Sequence, residues 1–243
     1  MADLLVPQAQ PISSYDYFDL AAGTGVQIYY GGKVMFISGA ELVSGMVLRN
    51  KTFYSESLTS KATVASTTFG RRLNTSFDLD FNNSRTINGN IIVSIPIGMN
   101  ALANVDKKHV YTDIYFYRVD TAGVETFLVS GGTMIFSPTN LDGDEAYSRI
   151  STASFDVDNQ KFKKDEKLRM RVEVWSRGDA AGSYLVGIAH DPINRNDNNE
   201  GLANVTGSSG PIIQDTDEGV PKNRWATDTV MRVDIPFKLD VEV

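Results

Sequence analysis

The chain has 243 residues, no cysteine, and 30 acidic against 23 basic residues, a formal charge of −7. The missing thiols exclude disulfide frameworks, zinc–cysteine sites and thiol catalysis. The acidic balance argues against a general binder of nucleic acid or of an anionic membrane, and a hydrophobic share of 42% argues for a packed globule over a disordered chain.

Residues 1–20 carry Leu4, Leu5, Val6 and Ile12, punctuated by Pro7 and Pro11. Proline fixes φ and removes a donor, so this segment reads as an extended N-terminal arm and not a helix. It lacks the basic start and apolar stretch of a signal peptide. It holds no basic residue, and the first in the chain is Lys33. An apolar, uncharged arm is suited to docking on a neighbouring subunit by side-chain burial and strand addition, and not to direct contact with nucleic acid.

From residue 21 to 243 the pattern has period two almost throughout, which predicts one β-sandwich domain. Strands are predicted at 26–30 and 33–38, joined by a tight hairpin at Gly31-Gly32, then at 45–49 and 62–69. Over 75–81, Phe77, Leu79 and Phe81 alternate with Asp78 and Asp80. Residues 89–97 are more continuously apolar, as a strand covered on both faces would be, and Asn88-Gly89 before them reads as a turn. Strands follow at 110–119, 124–130, 133–136 and 152–157, with turns at Ala122-Gly123, Gly131-Gly132 and Asp142-Gly143. Over 168–175, Leu168, Met170, Val172 and Val174 point inward while Arg169, Arg171 and Glu173 point outward. A turn at Ala181-Gly182 precedes a strand at 183–189. Residues 192–224 are rich in Asn, Asp, Gly and Pro and read as a long loop. A closing strand pair is expected over 229–243, with Met231, Val233 and Ile235 inward. The fold class is therefore all-β, an antiparallel β-sandwich or jelly roll with an extended arm.

Chemistry-bearing residues are few. The two histidines are His109 and His190. Asp191 follows His190, but neighbours on a strand face opposite ways, and no Gly-x-Ser-x-Gly elbow accompanies them, so no triad is expected. Carboxylates are plentiful, yet no pair stands out for glycoside chemistry. The expectation is that the chain is not an enzyme, and a glycoside-active scaffold is kept as a distant alternative. Asp191, Asn194, Asn196, Asn198 and Glu200 place oxygen donors close together and form a candidate calcium loop, although the Gly and distal Glu of an EF-hand are missing. No other cofactor is expected. If Val110, Ile114 and Phe116 face the core, then Tyr111, Tyr115 and Tyr117 share the other face with Asp113. Such a phenolic stripe suits a protein interface or a sugar platform. Trp175 and Trp225 stand near loop ends, where each would pack a loop or anchor a partner.

The apolar arm, the dozen short strands rich in Thr, Ser, Asn and Gly, the missing cysteine and the closing run Thr229-Val-Met-Arg-Val-Asp-Ile-Pro-Phe-Lys-Leu-Asp-Val-Glu-Val together resemble virion structural proteins of the jelly-roll type, from viruses of bacteria or archaea. The resemblance implies a capsid or capsid-decorating subunit in the virion. It would work by self-association and contact with other virion proteins, without direct nucleic-acid or membrane contact. The alternative is a carbohydrate-binding β-sandwich module, calcium-assisted through residues 191–200.

Overall fold

The computed structural model describes residues 24–38, 41–51, 59–64, 67–101, 108–136, 146–178, 184–190, 214–215, 222–223 and 231–238. All regular structure among them is β. The strands are β1 (Thr24–Ser38), β2 (Glu41–Arg49), β3 (Thr59–Val64), β4 (Gly70–Asp80), β5 (Arg85–Ala101), β6 (Lys108–Val119), β7 (Glu125–Phe136), β8 (Ala146–Phe162), β9 (Lys167–Gly178), β10 (Tyr184–Ala189), β11 (Gln214–Asp215), β12 (Lys222–Asn223) and β13 (Arg232–Lys238). The arm and the proposed calcium loop lie outside the described residues.

Hydrogen bonding runs in the order β3-β10-β5-β13-β1-β2-β4-β9-β6-β7, with β8 on the second edge of β5. Among the described residues every pairing is antiparallel except one, the parallel pair Val47↔Asp78 between β2 and β4. The ladder bends over itself at that weak seam. One layer is β8-β5-β13-β1-β2, extended by β10 and β3 along the β13 edge of β5, and the other is β7-β6-β9-β4. Their inward residues interlock, as Phe116 of β6 meets Phe155 of β8 edge-on at 5.2 Å. The predicted inward positions Phe77, Leu79, Phe81, Leu168, Met170, Val172, Val174, Met231, Val233 and Ile235 are all buried. Together with Ile91, Val93, Ile95 and Ile97 of β5 they form one apolar core. His190 is fully buried and meets Phe77 edge-on at 6.0 Å.

Several local expectations are corrected. Gly31-Gly32 is no hairpin, because β1 runs straight through it. A Cβ at Gly31 would collide with the Met231 sulfur and come within 3.3 Å of Phe77, so glycine here permits close packing of the two layers. Gly131-Gly132 likewise lies inside β7. Asn88-Gly89 is not a turn but a bulge, where β5 slips against β8 between Ile87 and Gly89. Gly89 has φ +119, which a side chain disfavours. Around Ile92, which is 42% exposed, β5 is covered on one face only, whereas Pro96 on the same face is buried. The described part of the closing segment is one strand, β13, with a bulge against β5 between Asp234 and Phe237. Residues 192–224 contain the short pair β11–β12.

The expected hairpin at Ala122-Gly123 is present. Asp120 Oδ1 accepts hydrogen bonds from the Ala122 and Val124 amides at 2.9 and 2.8 Å, and Gly123 takes φ +83. This Asx-type turn sets the register of β6 against β7.

Candidate functional site

Two surface features stand out. The first is the outer face of the β4–β9–β6–β7 layer. Because β9 and β6 are antiparallel and in register, their outward residues stand opposite one another: Tyr117 faces Arg169, Tyr115 faces Arg171, Asp113 faces Glu173, and Tyr111 faces Trp175. On the other edge of β9, Asp78 faces Arg169 and Arg71 stands opposite Trp175. The three sequence-predicted tyrosines are thus brought together with Trp175, which joins them through register and not through sequence proximity.

The charges on this face are tightly paired. Arg169 grips Asp78 with two bonds of 2.6 Å and reaches Glu125 of β7 at 2.8 Å. Arg171 holds the same Glu125 at 2.8 and 3.0 Å, and its guanidinium lies 4.6 Å from the Tyr117 ring centre. The two guanidinium groups hold the Glu125 carboxyl below the usual carboxylate range, with Arg169 the larger cause, against the opposing effect of burial. Asp78 and Glu125 in turn raise the Arg169 pKa further above its ordinary value. Glu173 is buried at 6% exposure, and it accepts from Arg71 at 2.6 Å and from the Trp175 indole at 3.2 Å.

Asp113 accepts from the Tyr111 hydroxyl and, at 3.4 Å, from that of Tyr115. The Tyr111 phenol is pushed up to about 12, chiefly by that bond and then by burial and the Asp113 charge. Tyr115 is raised by burial first and by Asp113 next. Glycine at 132 makes room for this cluster: a Cβ there would run into the Tyr111 hydroxyl and the Asp113 carboxylate. The pair of glycines in the sequence was a signal for close approach, not for a turn. The outward charges of β9 were legible from alternation, but their partners were not.

The second feature is the far end of the β1–β2 hairpin. β1 pairs with β13 only through Tyr30, and β2 pairs with β4 only at Val47. Beyond those points residues 33–38 and 41–46 pair only with each other among the described residues. This two-stranded ribbon carries Met35, Phe36, Ile37 and Leu42 at 50, 47, 77 and 63% exposure. Consecutive strand residues point to opposite faces, so both faces of the ribbon are apolar and wet. The sequence reading, which ended the first strand at Tyr30, did not anticipate a projecting ribbon.

Of the remaining site residues expected from sequence, Leu4, Leu5, Val6 and Ile12 of the arm, Asp191, Asn194, Asn196, Asn198 and Glu200 of the calcium loop, and Trp225 lie outside the described residues. Among the described residues no three His, Asp or Glu side chains are grouped to hold a metal ion.

Neither a protein-family model nor a curated protein matches the chain. Several solved structures are similar to it. A CocE/NonD family hydrolase from Staphylococcus aureus is 10% identical over 66% of this chain and 36% of its own, with a TM-score of 0.37. An aminopeptidase from a marine sediment archaeon, a Thaumarchaeota archaeon, is 6% identical over 86% of this chain and 37% of its own, with a TM-score of 0.44. Infectious bursal disease virus, Gt strain, is 5% identical over 84% of this chain and 42% of its own, with a TM-score of 0.23. The chain spans little more than a third of the length of the two hydrolytic enzymes. This finding corrects the expectation that the chain is not an enzyme: hydrolases are among the structures it is similar to, and that expectation is withdrawn. The reactions of those enzymes are said of them alone.

Proposed function

We propose that this chain is a self-associating structural subunit of a virus particle, with residues 21–243 as its body and residues 1–20 as a contacting arm. The observation that carries self-association is the projecting ribbon. Isolated two-stranded ribbons are marginal in water, and one with large apolar side chains on both faces gains stability only when something covers it. A second copy of the chain suits the role. Among the described residues β7 is paired on one edge only, with β6, and β8 on one edge only, with β5. The ribbon and these edges are complementary for strand addition between copies. The virion assignment is supported by the sequence resemblance, and other virion proteins are the remaining partners of this reading.

The tyrosine face supports the same reading over a sugar platform. Stacking on a sugar requires a free ring face, whereas Arg171 lies over Tyr117 and Phe127 meets that ring edge-on at 5.9 Å. Tyr, Trp and Arg held in fixed geometry are the residue types that anchor protein interfaces.

Replacing Ile37 and Leu42 by lysine tests the proposal. Full burial of such a side chain is worth about 1.5–3 kcal/mol, so losing both weakens each contact by about 2–4 kcal/mol, roughly 30- to 1,000-fold. Sedimentation velocity over a concentration series is expected to show wild-type oligomers and a monomeric double variant with unchanged circular dichroism. A wild-type chain that stays monomeric at high concentration, or a variant that associates as well as wild type, overturns it.

A further inference from the structure

We propose that Asp113, framed by Tyr111, Tyr115 and Trp175 on the outer face of β6 and β9, binds the ammonium group of a lysine side chain on a partner protein. Register sets Asp113 of β6 directly opposite Glu173 of β9. Like charges in directly opposed positions destabilise a sheet, and only one of these two is compensated. Glu173 is buried, with Oε1 accepting from Arg71 at 2.6 Å and Oε2 from the Trp175 indole at 3.2 Å. Among the described residues Asp113 has no cation beside it. Its partners are the neutral hydroxyls of Tyr111 and, at 3.4 Å, of Tyr115.

The arginines along β9 are committed elsewhere. Arg171, opposite Tyr115, is held by Glu125 and lies against Tyr117, and Arg169 is held by Asp78 and Glu125. The local field at the phenols is therefore negative. Tyr111 is raised first by its bond to Asp113, and Tyr115 first by burial. The Asp113 charge and, for Tyr115, the Glu173 charge add to this, with no cation opposing either. A cation seated on Asp113 relieves both the cross-strand repulsion and the unmatched charge.

The acceptor selects lysine among cations. Each oxygen of Asp113 already has a phenol beside it: Oδ2 accepts from Tyr115, and Oδ1 lies with the Tyr111 hydroxyl over Gly132. A guanidinium fork needs a matching lone pair on both oxygens at once, whereas an ammonium is a point donor that one oxygen satisfies. A quaternary ammonium has no N–H to donate. The half-buried rings of Tyr111, Tyr115 and Trp175 flank the carboxylate and cover the four-carbon stem of a lysine.

The ribbon belongs to the other layer, so occupancy of this site does not depend on self-association. The test is an amide NMR titration of the full chain with an end-blocked glycine pentapeptide carrying a central lysine, and with counterparts carrying norleucine or arginine. Shifts are expected to centre on Tyr111, Asp113, Tyr115 and Gly132, a readout on the wild-type protein that needs no variant to fold. The lysine peptide is expected to bind at least about tenfold more tightly than the norleucine peptide, and more tightly than the arginine peptide. Asp113→Asn is expected to lose at least about tenfold of that affinity. Asp158→Asn, which removes the same charge from an exposed position on β8, is expected to bind as wild type does. No binding of the lysine peptide, equal binding of either counterpart, shifts centred elsewhere, an unweakened Asp113→Asn, or an equal loss in Asp158→Asn overturns the proposal.

Discussion

Arg169 is the point at which three strands of the outer layer are tied together, and replacing it with methionine isolates what that tie contributes. Methionine keeps the apolar stem on β9 and removes only the guanidinium. Asp78 then loses both of its 2.6 Å bonds, while Glu125 keeps Arg171. The side chains of Arg169, Asp78 and Glu125 are 27, 18 and 28% exposed. Fully exposed pairs contribute about 0–1 kcal/mol and a broken buried pair costs about 3–5 kcal/mol, so this half-buried site should cost about 2 kcal/mol. For a chain of this size that is a fall in Tm of about 4–8 °C. The double cycle with Asp78→Asn should return a coupling of about 1–2 kcal/mol.

The pH dependence follows from Glu125. Its pKa is lowered in the folded state, so its contribution is complete above the ordinary carboxylate range, near 4.5, and is lost as pH falls through the depressed value. The gap between wild type and Arg169→Met in urea melts should therefore be full at pH 7 and shrink below pH 4.5. A loss under about 0.5 kcal/mol at pH 7, or a gap of the same size at pH 3, would refute the reasoning that the tie is ionic.

Two further outcomes are expected. Gly132→Ala should push Tyr111 off Asp113 and lower Tm only by what that surface hydrogen bond contributes, because the atoms displaced are side-chain ends and not backbone. The Tyr111–Asp113 contact contributes fully below pH about 10 and is lost as pH rises through about 12. The alanine variant should accordingly bring one phenol titration, identified by comparison with Tyr111→Phe, back toward 10, and an unmoved titration would count against the assignment. Gly31→Ala should destabilise by about 1–3 kcal/mol through overpacking against Met231. Adding Met231→Ala should recover part of that loss in chemical melts, and strictly additive losses would show that the two residues do not compete for the same space.

The all-β class, the inward positions of β4, β9 and β13, and the tight turn at Asp120–Gly123 were legible in the sequence. Each rests on local physics: alternation along a strand decides which residues face the core, and an Asx side chain next to glycine closes a turn without distant help. The glycine pairs at 31–32 and 131–132 misled because glycine serves turns and close packing equally well. Only the tertiary neighbours Met231, Phe77, Tyr111 and Asp113 distinguish the two uses. The same limit hid the ribbon. It arises where ladders stop, after Tyr30 on β1 and at Val47 on β2, and a strand's own residues do not record where its neighbour ends. The sequence by itself determined that Tyr111, Tyr115 and Tyr117 share a face. The register of β6 on β9 decided that Trp175, Arg171 and Arg169 stand opposite them, because a shift of one residue would have turned every one of those side chains into the core.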